Sequence, residues 1–246
     1  MIKEAIEKIE ALSATTIKTH AGKGYVFVGD ELTPLDSLAA LAVPLEFHSL
    51  SGLVAYLASD LDGSDPSTLA FIVDGPDKVR LAGSLTAEFR QREVLASASP
   101  YLSKPFDFGR YLDIETFVTS LQSGFEQDEN TATILKIVGN ISQEVVATLV
   151  DDGVSQQVTA RAGIAKQANV VVPNPVSLRP FRTFPEVFQP WSKYVLRVKR
   201  GGEGALPSAA LFEVGDNAWK HAAVDSIAKR IGELLTAAKV KAVVLA

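Results

Sequence analysis

The sequence predicts an α+β fold with mostly antiparallel sheets, a central helical segment and a C-terminal helix. Three observations predict it. Apolar residues recur at helical spacing in only a few stretches. The β-rich runs between them follow one another without steady β-α-β alternation. Their Val and Thr content, with partial alternation, suits half-exposed antiparallel strands. At 246 residues, 47% hydrophobic and 22% charged, the chain is long enough to bury a sizeable core without a disulfide or metal staple. It is read as one compact unit over 1–246, in which a boundary between two lobes, 1–141 and 142–246, could fall near residue 142.

Taken in order, Ile2, Ile6, Ile9 and Leu12 mark an amphipathic helix over 2–13, and Tyr25 to Val28 a short strand. The turn-rich then apolar stretch 29–44 is assigned no state. Ser49 or Ser51 can cap a helix carrying Leu53, Val54 and Leu57, closed by the turn residues DLDGSDP. LAFIVDG, VRLAGSL and REVLASAS then make a three-stranded antiparallel meander. Asp113 caps a helix with Ile114, Phe117, Val118, Leu121 and Phe125 on one stripe, and a second helix follows from about Asn130 to Gly139. EVVATLV, VSQQVTARA, ANVVV, YVLRVKR and SAALFEV read as strands. Asp216 or Asn217 opens a helix to about Ala238, with Trp219, Val224, Ile227, Ile231 and Leu234 on one side, and VKAVVLA ends the chain as a buried strand.

Several chemistries lose their usual support. The absence of cysteine removes thiolate catalysis and Cys-based metal sites. His20, His48 and His221 are isolated, without HExxH spacing, and there is no GxSxG, GxGxxG or P-loop pattern. The reading is therefore non-enzymatic, with no cofactor and no metal. Asp151 and Asp152 before Gly153 fit a hairpin turn better than a paired-carboxylate site, because Asp-Gly supplies the positive φ of such a turn. The glycines of AGKGYVF and KRGGEGALP fit flexible loops better than phosphate cradles. No signal peptide, anchor or membrane span is expected, and the location is read as cytoplasmic.

Charge is uneven. Residues 1–123 carry 10 Lys and Arg against 17 Asp and Glu, net −7, whereas 153–202 hold eight basic residues against Glu186 alone, net +7. Within that basic segment lies PNPVSLRPFRTFPEVFQPWSKYVLRVKR, whose five prolines dictate an extended course. Its ligand-binding or interface candidates are Arg179, Phe181, Arg182, Phe184, Trp191, Lys193, Arg197, Lys199 and Arg200. Cations interleaved with aromatic faces suit a nucleic acid or nucleotide, since phosphates pair with the cations while bases stack. The same composition builds subunit interfaces, and an acidic half opposite a basic segment favours a homo-oligomer. Intramolecular packing of an extended arm is the third reading.

The order of FDFGRYLDIETFVTSLQSGF, EVVATLVDDGVSQQVTARAGI, VVVPNPVSLRPFRTFPEV, YVLRVKR and SAALFEV, over roughly residues 45 to 235, resembles phage and prophage proteins of the YfdQ-like prophage family. The resemblance carries no catalytic motif and brings no established activity. It implies a phage or prophage accessory protein concerned with DNA metabolism or with countering host defences. Combined with the residue-level reading, the expectation is a self-associating protein whose basic-aromatic segment binds nucleic acid, a nucleotide or another subunit. A purely structural assembly protein and an anti-defence protein that sequesters a nucleotide signal are the alternatives.

Overall fold

A computed structural model describes residues 3–4, 43–85, 92–102, 104–139, 174–199 and 207–246 in full, and the backbone alone at 17–20, 23–28, 31–34, 140–143, 148–151, 156–162 and 166–171. Most of the helix expected over 2–13 lies outside the described residues. Strands β1 (Ile17–His20), β2 (Lys23–Val28) and β3 (Glu31–Pro34) form a small antiparallel sheet. Next come β4 (Leu45–Phe47), helix α1 (Leu50–Ala58) and the meander β5 (Ala70–Gly75), β6 (Lys78–Leu85) and β7 (Arg92–Ala98). Strand β8 (Leu112–Asp113) leads into α2 (Ile114–Gly124) and α3 (Glu129–Gln143). Strands β9 (Thr148–Asp151), β10 (Gln156–Ala162) and β11 (Lys166–Val171) make a second small antiparallel sheet. The chain closes with β12 (Val176–Leu178), β13 (Ser192–Lys199), β14 (Ser208–Val214), α4 (Ala218–Ala238) and β15 (Val243–Leu245). The fold is α+β, as the strand runs and capping residues predict.

Two larger sheets organise the molecule. The first has the order β15-β5-β6-β7-β4, antiparallel through its meander and parallel at its two outer pairs. Helices α1 and α4 pack against it through Leu50, Leu53, Leu57, Ile227, Ile231 and Leu235, which meet Phe71, Val79, Leu81, Ala96 and Ala98. Ser49 caps α1, accepting the Gly52 N–H. The second sheet, β12-β13-β14-β8, is antiparallel throughout. Helices α2 and α3 cover one of its faces, burying Phe117, Leu121, Ile134 and Val138 against Tyr194, Leu196, Val198 and Leu211. Asp113 caps α2 by accepting the Thr116 N–H at 2.9 Å.

Each core draws residues from both sides of position 142, because α4 and β15 return to the first sheet while β8 and α2 belong to the second. A division at 142 thus coincides with neither. The buried stripe of α4 is Ala223, Ile227, Ile231 and Leu235, one step round from the Val224 and Leu234 of the sequence reading. The C-terminal strand departs further from expectation. Among the described residues β15 lies at the edge of its sheet and pairs with β5 alone, and Val243 and Leu245 are exposed.

Candidate functional site

The proline-rich segment joins the two cores and is pinned at nearly every residue. Phe125 and Pro180 form an antiparallel bridge, with Glu126 N–H donating to Arg179 O and Phe181 N–H to Gly124 O, both at 2.9 Å. Beyond it, Gln189 is fully buried and satisfied. Its Oε1 accepts from the N–H groups of Arg182 and Thr183, and its Nε2 donates to Phe184 O. The Glu186 carboxylate accepts the N–H groups of Leu50 and Ser51, so the segment supplies a negative charge to the N-terminus of α1. Thr183 Oγ1 donates to Pro76 O. Phe184 is 0% exposed and belongs to the core of the five-stranded sheet. The assignment of Phe184 as a ligand or interface contact is corrected accordingly: its ring has no free face to offer.

The two arginines of the segment are likewise committed to their own chain. Arg179 pairs with Glu126 and Asp128 and lies under the rings of Phe188 and Trp191, at 4.9 and 4.6 Å from their centroids. Arg182 pairs with Glu213 at 2.8 Å, donates to Ser192 Oγ at 2.6 Å and stacks on Trp219 at 3.8 Å. Their side chains keep only 17% and 13% of their exposure, so the expectation that both present open charge to a partner is corrected. The proline-imposed course folds the arm back over acidic residues of the α2–α3 link and of β14. For these two residues and Phe184, internal packing is what the structure shows.

Of the remaining candidates, Phe181 is exposed beside the Phe125 bridge, and Trp191, Lys193, Arg197 and Lys199 fall on two connected surfaces. Along β13, Tyr194, Leu196 and Val198 point into the core, which places Lys193, Val195, Arg197 and Lys199 on the opposite face. Lys193 and Lys199 are exposed and Arg197 is half-buried. Across the register, Lys193 faces Val214, Val195 faces Phe212, Arg197 faces Ala210 and Lys199 faces Ser208. Lys199 Nζ sits 3.8 Å over the ring of Tyr111, which packs edge-on against Phe212. The result is a cationic and aromatic strip roughly 20 Å long at about 3.3 Å per residue. Ala210 is fully buried there, so the strip is only partly open. Arg200 lies outside the described residues.

At the Lys193 end, the strip runs into a groove of ≈ 350 Å³ lined by Trp191, Lys193, Glu213, Asp216 and Trp219, with Ser177 and Ser192. The chain has two tryptophans and both line this groove. Trp191 is 46% exposed with Arg179 on its ring, while Trp219 is half-buried with Arg182 on its own. The groove ends at the first turn of α4. There Asn217 holds a left-handed conformation (φ 64°) and makes no side-chain cap bond, and Asp216 Oδ1 instead accepts the Ala218 N–H at 3.2 Å. Two buried donors beside the groove, Arg182 Nε and Trp219 Nε1, have no partner among the described residues. Burial raises the Tyr194 hydroxyl well above its usual range. Arg182 pulls the other way, and Glu213, which accepts from that hydroxyl, adds to the rise.

Sequence reasoning placed Trp191, Lys193, Arg197 and Lys199 on this surface but missed Trp219, Glu213 and Asp216. Trp219 reads as one more apolar residue on the stripe of α4, and nothing in the local sequence brings it beside Trp191. Among the described residues no group of three or more His, Cys, Asp or Glu could hold a metal ion, and no helix is long and apolar enough to cross a membrane. No protein-family model, curated protein or solved structure matches the chain, so its functional reading is drawn from this geometry.

Proposed function

We propose that this is a non-enzymatic binding protein of the phage or prophage accessory kind, acting in the host cytoplasm, that takes a single-stranded nucleic acid or a nucleotide. Its site is the Trp191–Trp219 groove and the Lys193–Arg197–Lys199 strip leading from it. The observation that carries the proposal is the continuity of three cations on one sheet face with a groove holding both tryptophans. Cations along an extended track pair with phosphates, and an exposed indole offers a stacking face that any base can use. A cationic ligand fits poorly, because Arg179 and Arg182 already place positive charge on both rings.

The test is binding of a labelled single-stranded oligonucleotide over a salt series. Three phosphates neutralised by Lys193, Arg197 and Lys199 give a log-log slope of about −2, at roughly −0.7 per phosphate. A slope near zero removes the strip from the site, and no binding of either the oligonucleotide or a mononucleotide at low salt removes the proposal. A second reading, contact with another copy of the chain, draws on the exposed rings of Phe181, Phe188 and Trp191, which are 40, 55 and 46% exposed, the last two lying against Arg179. Aromatic and arginine anchors of this kind concentrate interface energy. In that case Phe188→Ala and Trp191→Ala lower the particle mass and leave oligonucleotide binding unaffected.

A further inference from the structure

The groove carries more information than a stacking surface alone, because an acidic side chain stands at its rim. We propose that the groove selects guanine, with the base stacked on Trp191 and its Watson–Crick edge read by the Asp216 carboxylate. The inference rests on the nucleotide-binding reading above and adds the identity of the base.

Of the two carboxylates lining the groove, Glu213 is engaged by the Arg182 guanidinium and by the Tyr194 hydroxyl. Asp216 is exposed, makes no ion pair among the described residues, and spends one lone pair of Oδ1 on the Ala218 N–H. A carboxylate accepts hydrogen bonds and donates none. It therefore discriminates among bases by the donors on their edges. Guanine presents two adjacent donors, N1–H and the 2-amino group, that match the two oxygens of one carboxylate. Adenine and cytosine present one amino group beside a ring nitrogen that is itself an acceptor and repels the anion, and uracil presents one N–H between two carbonyls. Lys193, on the same groove, makes no ion pair among the described residues and supplies a charge for one phosphate. The volume suits one nucleotide, at the small end of ligand-sized pockets.

The experiment measures binding of GMP, IMP, AMP and UMP to the intact protein by calorimetry at low salt, with tryptophan fluorescence as a second readout. GMP is expected to bind about tenfold tighter than AMP, the order expected of a bidentate pair. IMP, which keeps N1–H and lacks the 2-amino group, falls between them. Asp216→Asn retains an oxygen to accept the Ala218 N–H, so α4 keeps its cap, while the amide replaces one acceptor with a donor. In that variant GMP weakens and its preference over AMP is lost, because the amide no longer repels the ring nitrogen of adenine and can donate to it. Trp191→Ala weakens all four ligands together. Equal affinity for GMP and AMP, or a guanine preference that survives Asp216→Asn, overturns the base assignment and leaves the nucleotide site standing. Failure of all four nucleotides and of single-stranded oligonucleotides to bind overturns both.

Discussion

Arg182 shows how one side chain can consume the charge that the sequence advertises. Its guanidinium serves Glu213, Ser192 and the Trp219 ring at once, at 13% exposure. Lysine offers a point charge without the planar fork, so Arg182→Lys should cost about 1–3 kcal/mol of stability, measured by denaturant unfolding. Tyr194, bonded to the same Glu213, governs alkaline behaviour together with Tyr56, whose hydroxyl is pushed up to about 12 by burial and by its bond to Asp62. Both tyrosines ionise more readily in the unfolded chain, near pH 10. Their contribution to stability is complete below that pH and is lost as pH rises through the folded values. Unfolding free energy should therefore fall from about pH 10 towards pH 12, and Tyr56→Phe should flatten the fall. The carboxylates act in the opposite window. The Arg80 guanidinium holds Asp74 below its usual range, a contribution present above pH 3.8 and lost on further acidification.

The segment from Pro180 to Pro190 behaves as an element in its own right, although it has no regular secondary structure. Gln189 satisfies its backbone from inside, Glu186 docks it on α1, and Phe184 fills the core of the five-stranded sheet. Phe184→Ala should destabilise the protein by about 3–5 kcal/mol, as expected of a buried ring. The exposed Phe181 is expected to cost less than about 1 kcal/mol on the same substitution. Chemical denaturation of the two variants checks the contrast. The elements that were legible in the sequence are those fixed by local chemistry. They are α1 with its Ser49 cap, α2 with its Asp113 cap, and the β5–β7 meander. Illegible were the features that depend on partners distant in sequence. The apolar run VKAVVLA gives no sign that β15 sits at a sheet edge, and RPFRTFP gives no sign that Arg179 meets Glu126 or that Phe184 enters a distant core. Of the site, the basic strip was readable because alternation along β13 is local. The groove was not, because it forms only where α4 starts beside the beginning of β13.

At the scale of the molecule, both cores are assembled from chain segments far apart in sequence and are clasped together by the segment from Pro180, bridged to Phe125 of one core, to Phe184, buried in the other, so they should unfold together. Fluorescence and far-UV circular dichroism are expected to report one coincident transition, and separate midpoints would show that the clasp does not couple them. The pairing of Arg179 and Arg182 with Glu126, Asp128 and Glu213 also bears on assembly. It removes two of the cations that an acidic surface of another copy would meet, leaving the exposed lysines of β13 and the exposed aromatics as the basis for self-association. The central claim concerns the strip and groove. Salt-dependent binding of a single-stranded oligonucleotide, compared between the native protein and the Lys193→Ala, Lys199→Ala double variant, tests it most directly. The account predicts a native slope of about −2 that shrinks by about 1.4 in the variant while the fold is unchanged. An identical slope and affinity in the two proteins would contradict it.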